Sequence, residues 1–155
     1  MTVRQDDITD DAFLGGALTV LQPRKGFRAG IDGVLLAASV EVDPGQSVSV
    51  LDAGAGVGVA GLCLLRRFAE TRVDLLERDP VLADLARQNV ARNSLSDRGT
   101  VIEADLLLPG PDLAALGAGD NSYDLVLSNP PWLEDGRGRP SADPIKARAN
   151  AMPSE

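Results

Sequence analysis

The sequence contains no histidine and a single cysteine, Cys63. Without histidine there is no imidazole to serve as the base of a Ser–His–Asp or Cys–His arrangement, and the commonest zinc ligand is missing. No metal site is expected. A lone cysteine cannot close a disulfide within the chain, which fits a reducing cytoplasm. Cys63 stands among Leu62, Leu64 and Leu65, the setting of a small core residue. Aromatics are sparse: one tryptophan, one tyrosine and three phenylalanines. No apolar run is long enough to span a bilayer. The first residues, MTVRQDDITDDAF, are acidic and lack the apolar segment of a signal peptide. Positive charge is the scarcer sign, with 15 Lys and Arg against 23 Asp and Glu. The net charge of −8 argues against a surface that coats nucleic acid broadly, although it leaves room for a local contact. Arg24, Lys25 and Arg28 form one small basic cluster, and Arg137, Arg139, Lys146 and Arg148 form another. By themselves both read as solvated surface.

What is present is one domain's worth of chain, 155 residues, enough to bury a core. After an acidic leader over 1–12, ALTVLQPRKGFRAG suggests a hairpin turning at Pro23 to Gly26. IDGVLLAASV suggests a short helix with Val34, Leu35 and Ser39 on one side. From Val48 the pattern alternates. VSVLD is a short apolar strand ending in an acid, followed by a glycine-rich turn and an apolar helix from Val59 to Phe68. RVDLLE is a strand ending in Glu77. Asp79 can cap the next helix, and Pro80 suits its first position, where the missing N–H costs nothing. TVIEAD is a third strand, ending at Asp105, and YDLVLS a fourth. Alternating strands and helices predict an α/β fold with a parallel sheet, whose strands are apolar because both faces are covered. In such sheets ligands bind beyond the carboxyl ends of the strands. Asp52, Glu77, Asp105 and Asn129 all fall there. The domain is expected over 13–132, and 133–155, rich in Gly, Pro and Ser, reads as a polar loop or disordered tail.

Four features carry chemistry. LDAGAGVGVAG sets Gly54, Gly56 and Gly58 between a strand and a helix, where the backbone can turn tightly and a ligand can approach without meeting a Cβ. The spacing is not the G-x-G-x-x-G of dinucleotide binders, and tight packing alone would also use such a turn. Asp52, just before it, could meet a cationic ligand. Glu77 ends the next strand, where a carboxylate can accept from ribose hydroxyls or else cap the following helix. Asp105 is either a loop acid or an acceptor for an exocyclic amino group such as adenine N6. Last, SNPPW breaks out of a strand into Asn129, two prolines and the sole tryptophan.

Together the glycine turn, the strand-end acids and the Asn-Pro-Pro-aromatic tetrapeptide resemble the S-adenosylmethionine-dependent methyltransferases that methylate planar amino groups. Within that group, LQPRKGFRAGIDGVLLAA resembles the bacterial tRNA adenine-N6 methyltransferases that act beside the anticodon, and the likeness covers roughly Phe13 to Arg139. The resemblance implies a Rossmann-like class I methyltransferase sheet, S-adenosyl-L-methionine as cofactor and tRNA as substrate. It implies that Asp52, Ala53, Gly54, Gly56 and Gly58 line the methionine end of the cofactor, that Glu77 holds the ribose and Asp105 the adenine, and that Asn129 faces both cofactor and substrate. It gives the catalytic corner to Asn129, Pro130, Pro131 and Trp132. An exocyclic amino group is a weak nucleophile because its lone pair is delocalised. The Asn129 side-chain oxygen and the Pro130 carbonyl can accept its two hydrogens and stabilise the charge that develops on nitrogen. The prolines stiffen the corner, and Trp132 offers a face for a flipped base.

The chain departs from this family in two ways. Tryptophan stands where tyrosine or phenylalanine is commoner. The family's sheet has seven strands, whereas this chain stops after its fourth core strand; the chain resembles a truncated gene product or fragment, or it borrows the missing edge from a partner. Two further readings stay open: methylation of a protein glutamine amide, and a truncated cofactor-binding module without turnover.

Overall fold

The computed structural model describes residues 7–26, 28–120 and 122–130. Pro131, Trp132 and the 133–155 segment lie outside the described residues. Chain order runs β1 (Ile8–Phe13), β2 (Leu18–Pro23), α1 (Ile31–Ala38), β3 (Ser49–Ala53), α2 (Val59–Arg67), β4 (Arg72–Glu77), α3 (Pro80–Arg92), β5 (Gly99–Glu103), α4 (Gly110–Ala115) and β6 (Leu125–Ser128).

Strands β3 to β6 form one parallel sheet in the order β5-β4-β3-β6. The order reverses between β3 and β6, and a crevice opens at such a switch point beyond the carboxyl ends. The alternation expected from the sequence is the alternation observed. From Val59 to Leu65 α2 is apolar on every side because it is buried on every side, and it ends in the exposed Arg66 and Arg67. Cys63 is one of them, as its neighbours suggested. α3 begins as its punctuation requires. The Asp79 carboxylate accepts from Val81 N at 2.9 Å and from Leu82 N at 3.4 Å, and Pro80 follows it.

The hairpin differs from its expected place. β1 pairs antiparallel with β2, with Ile8 opposite Pro23 and Phe13 opposite Leu18, so the turn is Leu14–Gly16 and not Pro23–Gly26. Residues 8–12, counted in the sequence as acidic leader, are therefore strand. Their acids are neutralised from neighbouring elements. Asp10 receives both guanidinium nitrogens of Arg92, at 3.0 and 2.6 Å, and Asp11 accepts from Thr9, Gln22 and Arg28. Those partners hold the Asp11 carboxyl below the usual carboxylate range against the opposing effect of burial.

Of the expected side of α1, only Val34 packs against the core. Gly33 and Ala37 are buried, while Leu35 is 58% exposed and Ser39 is exposed. Small residues let the two helices approach: a Cβ on Gly33 would lie 3.4 Å from Val59 at the start of α2. The core is aliphatic and sits between the sheet, α1, α2 and the hairpin. Leu18, Val20, Val57, Leu62, Leu64, Val73 and Leu75 are among its most buried members.

Candidate active site

The strand register decides which residues meet. Ala53 lies opposite Leu76 on one side and Ser128 on the other, and Glu77 lies opposite Glu103. One step further along, Asn129, Gly54 and Glu77 stand side by side on three adjacent strands, with Asp105 two residues past the end of β5. Across the sheet, the row from β6 to β5 spans three strand spacings, roughly 14 Å. The residues singled out in the sequence thus line one edge of the sheet. Asn129 and Pro130 are exposed there. Ser128, just before them, anchors its hydroxyl to the Ala53 carbonyl at 3.2 Å.

The glycine turn is held by its own amides. Gly54 N and Ala55 N both donate to Leu76 O at 2.9 Å, Gly56 N to Glu77 Oε2 at 2.8 Å and Gly58 N to Ala55 O at 2.9 Å. A phosphate-cradling loop presents such amides to its ligand. Here they are spent inside the fold, so the turn suits a ligand that approaches by contact and positive charge, as a sulfonium does. Gly54 has a φ of +76°, and a Cβ there would meet nothing within 4 Å, so the space in front of the turn is open.

Glu77 is buried. Its Oε2 accepts from Gly56 and its Oε1 from Asp79 N at 2.8 Å. Each carboxylate oxygen has a second lone pair, so these bonds aim the group and leave capacity for ribose hydroxyls. Asp105 is about half exposed. Its Oδ1 accepts from Leu107 N at 2.9 Å, and Arg78 stands 3.9 Å from Oδ2.

Asp52 is buried in the fold. It is 3% exposed, and its Oδ2 accepts from Gly61 N at 2.9 Å. Burial pushes its pKa up to about 6. The Gly61 amide opposes the shift and the charge of Glu77 adds to it. Gly61 carries no emphasis in the sequence reading, yet it is what admits this bond: a Cβ there would lie 3.1 Å from Asp52 Oδ2, Leu75 and Val73. A glycine inside an otherwise apolar helical pattern is the sequence signal for such close packing. The reading also passes over Asn89, whose signal is a polar residue on the apolar face of a helix.

A separate concavity of about 310 Å³, lined by Ser49, Arg72, Asp74, Thr100 and Tyr123 among others, lies at the amino ends of the strands, opposite the glycine turn. It is shallow, polar and remote from the residues above. The Tyr123 hydroxyl donates to Asp74 at 2.8 Å there.

The model of the methyltransferase small domain matches residues 31–143, well over half the chain and the whole stretch from α1 to the Asn129 corner. The chain belongs to the methyltransferase small domain family. Among curated relatives, a tRNA1(Val) (adenine(37)-N6)-methyltransferase of Porphyromonas gingivalis is 38% identical over 123 residues, which is 78% of this chain and 47% of that protein. One from Pectobacterium carotovorum is 32% identical across 98% of this chain and 56% of that protein. The chain thus spans about half the length of the curated relatives it matches. Among solved structures, a predicted O-methyltransferase of Agrobacterium tumefaciens is 32% identical, with a TM-score of 0.58 over 64% of this chain and 49% of that one. A SAM-dependent methyltransferase of the same organism shares the fold at 19% identity, with a TM-score of 0.60 over 81% of this chain and 40% of that one. The methyltransferase small domain and its Rossmann-like sheet are therefore established for this chain, and S-adenosylmethionine is the cofactor of such enzymes.

Proposed function

We propose that the protein transfers a methyl group from S-adenosylmethionine to an exocyclic amino nitrogen, and that its substrate is adenine N6 in tRNA. The observation that carries this reading is the register of β6 on β3, which sets Asn129 next to the open glycine turn. Bound at the turn, S-adenosylmethionine would supply a methyl group on a positively charged sulfur, which would leave as the neutral thioether while the amino nitrogen gives up a proton to solvent. Asn129 and the Pro130 carbonyl accept the two amino hydrogens and stabilise the charge growing on nitrogen. Pro131 and Trp132 complete the corner in this reading, with Trp132 stacking on the flipped base. Glu77 holds the ribose and Asp105 the adenine, while Gly54 clears a path for the methionine end.

The names of the curated relatives support tRNA as the substrate. Among the described residues no helix is long and apolar enough to cross a membrane, and we place the protein in the cytoplasm, where tRNA is modified. A partner chain or second copy against the edge of β6 belongs to the same reading.

Incubation with methyl-labelled S-adenosylmethionine and unmodified tRNA, with a release factor as the protein-amide control, tests it. Label should enter tRNA adenine and not protein. Label in protein alone would move the substrate to glutamine, and label in neither, with no binding of S-adenosylhomocysteine, would remove the enzymatic reading.

A further inference from the structure

Asn89 and Asn93 project from α3 four residues apart, about 6 Å along the helix axis. Thr19 and Leu21 are two residues apart on β2, close to 6.7 Å. The two spacings match, and the side-chain amides use the match. Asn89 Oδ1 accepts from Leu21 N at 2.7 Å, and Asn89 Nδ2 donates to Leu21 O at 3.0 Å. Asn93 Oδ1 accepts from Thr19 N at 3.0 Å, and Asn93 Nδ2 donates to Thr19 O at 2.8 Å. The pair of asparagines pairs with β2 as a neighbouring strand would.

The two then part. Asn93 spends its remaining N–H on the Asn89 backbone carbonyl of its own helix, at 2.8 Å. Asn89, fully buried, donates its own to Val57 O at 3.0 Å. Val57 sits between Gly56 and Gly58, both with positive φ, in the middle of the turn that faces the crevice. A glycine-rich stretch has many backbone states to lose, and a carbonyl tied at its centre removes most of them in advance. The link closes a ring. Gln22, next to Leu21, accepts from Ala29 N at 2.8 Å, which leads into α1, and Gly33 of α1 packs on Val59, where the turn becomes α2.

We propose that Asn89 is a positioning residue for cofactor binding: one buried amide locks the glycine turn to the β1–β2 hairpin, so the turn is shaped before the ligand arrives. The cofactor half of this inference rests on the functional reading above. The turn half does not. Pre-ordering lowers the entropy that binding must overcome, so loss of the link weakens affinity without removing any ligand contact.

Asn93→Ala is the internal control, because it breaks the same ladder and leaves the turn untouched. Asn89→Asp nearly conserves volume and keeps the acceptor for Leu21 N, but once ionised it donates to neither Leu21 O nor Val57 O, so at a pH where it is a carboxylate it carries the test should Asn89→Ala not fold. Hydrogen exchange at the amides of Gly54 to Gly58 is the direct readout, and calorimetric titration with S-adenosylhomocysteine the second. Both Asn89 variants should speed exchange in the turn by about tenfold or more and weaken the ligand by about tenfold. Asn93→Ala should speed exchange at Thr19 and leave the turn as in the wild type. Turn exchange that is unchanged in the Asn89 variants, or raised equally in Asn93→Ala, overturns the proposal whatever the ligand does. If the turn responds as expected while even the wild type binds no S-adenosylhomocysteine, the positioning of the turn stands and the cofactor reading falls.

Discussion

Asp52 keeps a carboxyl group where water barely reaches it, one residue short of the glycine turn. Its pKa is raised to about 6, so between about pH 4 and pH 6 the unfolded chain gives up this proton while the folded chain keeps it. Stability from this group is therefore lost as pH rises through that window, by about 3 kcal/mol, and the cost is complete above about pH 6. Asn at this position still accepts from Gly61 N and carries no charge. The difference in unfolding free energy between Asp52→Asn and the wild type should thus grow by about that amount from pH 4 to pH 7 in urea titrations, and a flat difference would mean that Asp52 ionises normally. Asn129 works the other way. It is exposed and not part of the described core, so Asn129→Ala should leave the melting temperature close to that of the wild type while methyl transfer to tRNA falls by about 100-fold or more. Activity equal to the wild type would remove Asn129 from the mechanism.

At the scale of the element, the glycine turn separates two tasks that its sequence presents as one. Gly54 and Gly58 both need a left-handed backbone, with φ of +76° and +93°. In front of Gly54 there is open space, whereas a Cβ on Gly58 would come within 2.7 Å of Leu75 Cδ2. Gly54→Ala should cost only the conformational strain, roughly 1 kcal/mol, and weaken S-adenosylhomocysteine by crowding the crevice. Gly58→Ala adds a steric conflict in the core and should cost about 2–3 kcal/mol in denaturant unfolding. Equal stability losses in the two variants would contradict this division. β3, α2, β4 and α3 were legible in the sequence because local rules set them: apolar runs, glycines at the turn, and an Asp-Pro start for α3. The hairpin was misplaced because β1 carries Asp10 and Asp11, whose cationic partners Arg92 and Arg28 lie 82 and 17 residues away. α1 was legible only in part: Val34 packs against the core, but its fully buried positions are the small Gly33 and Ala37, which permit contact with α2.

Over the whole molecule, the sheet has two edges among the described residues, β5 and β6. β6 pairs with β3 alone among those residues, and Val126 on it is 57% exposed. An edge of this kind can template another strand, which is where the proposed second copy would sit. The chain should self-associate with rising concentration in sedimentation velocity, and Val126→Lys should shift it toward the monomer without lowering its melting temperature. No concentration dependence in the wild type would exclude that route. The site is also a property of the whole. Asn129 and Gly54 are 75 residues apart in the chain and become neighbours only because β6 joins β3 in that register.

The sequence by itself determined the class of fold, the order of its core elements and the row of strand-end residues where chemistry is expected, because strand period, helix capping and glycine turns are all written within a few residues of one another. Only the tertiary structure decided that Asp52 answers to Gly61, that the turn's amides are spent inside the fold and that Asn89 ties Val57 to a strand 68 residues upstream of it in the chain. Most of these bonds join groups on different elements, and they form because the fold removes both partners from water together.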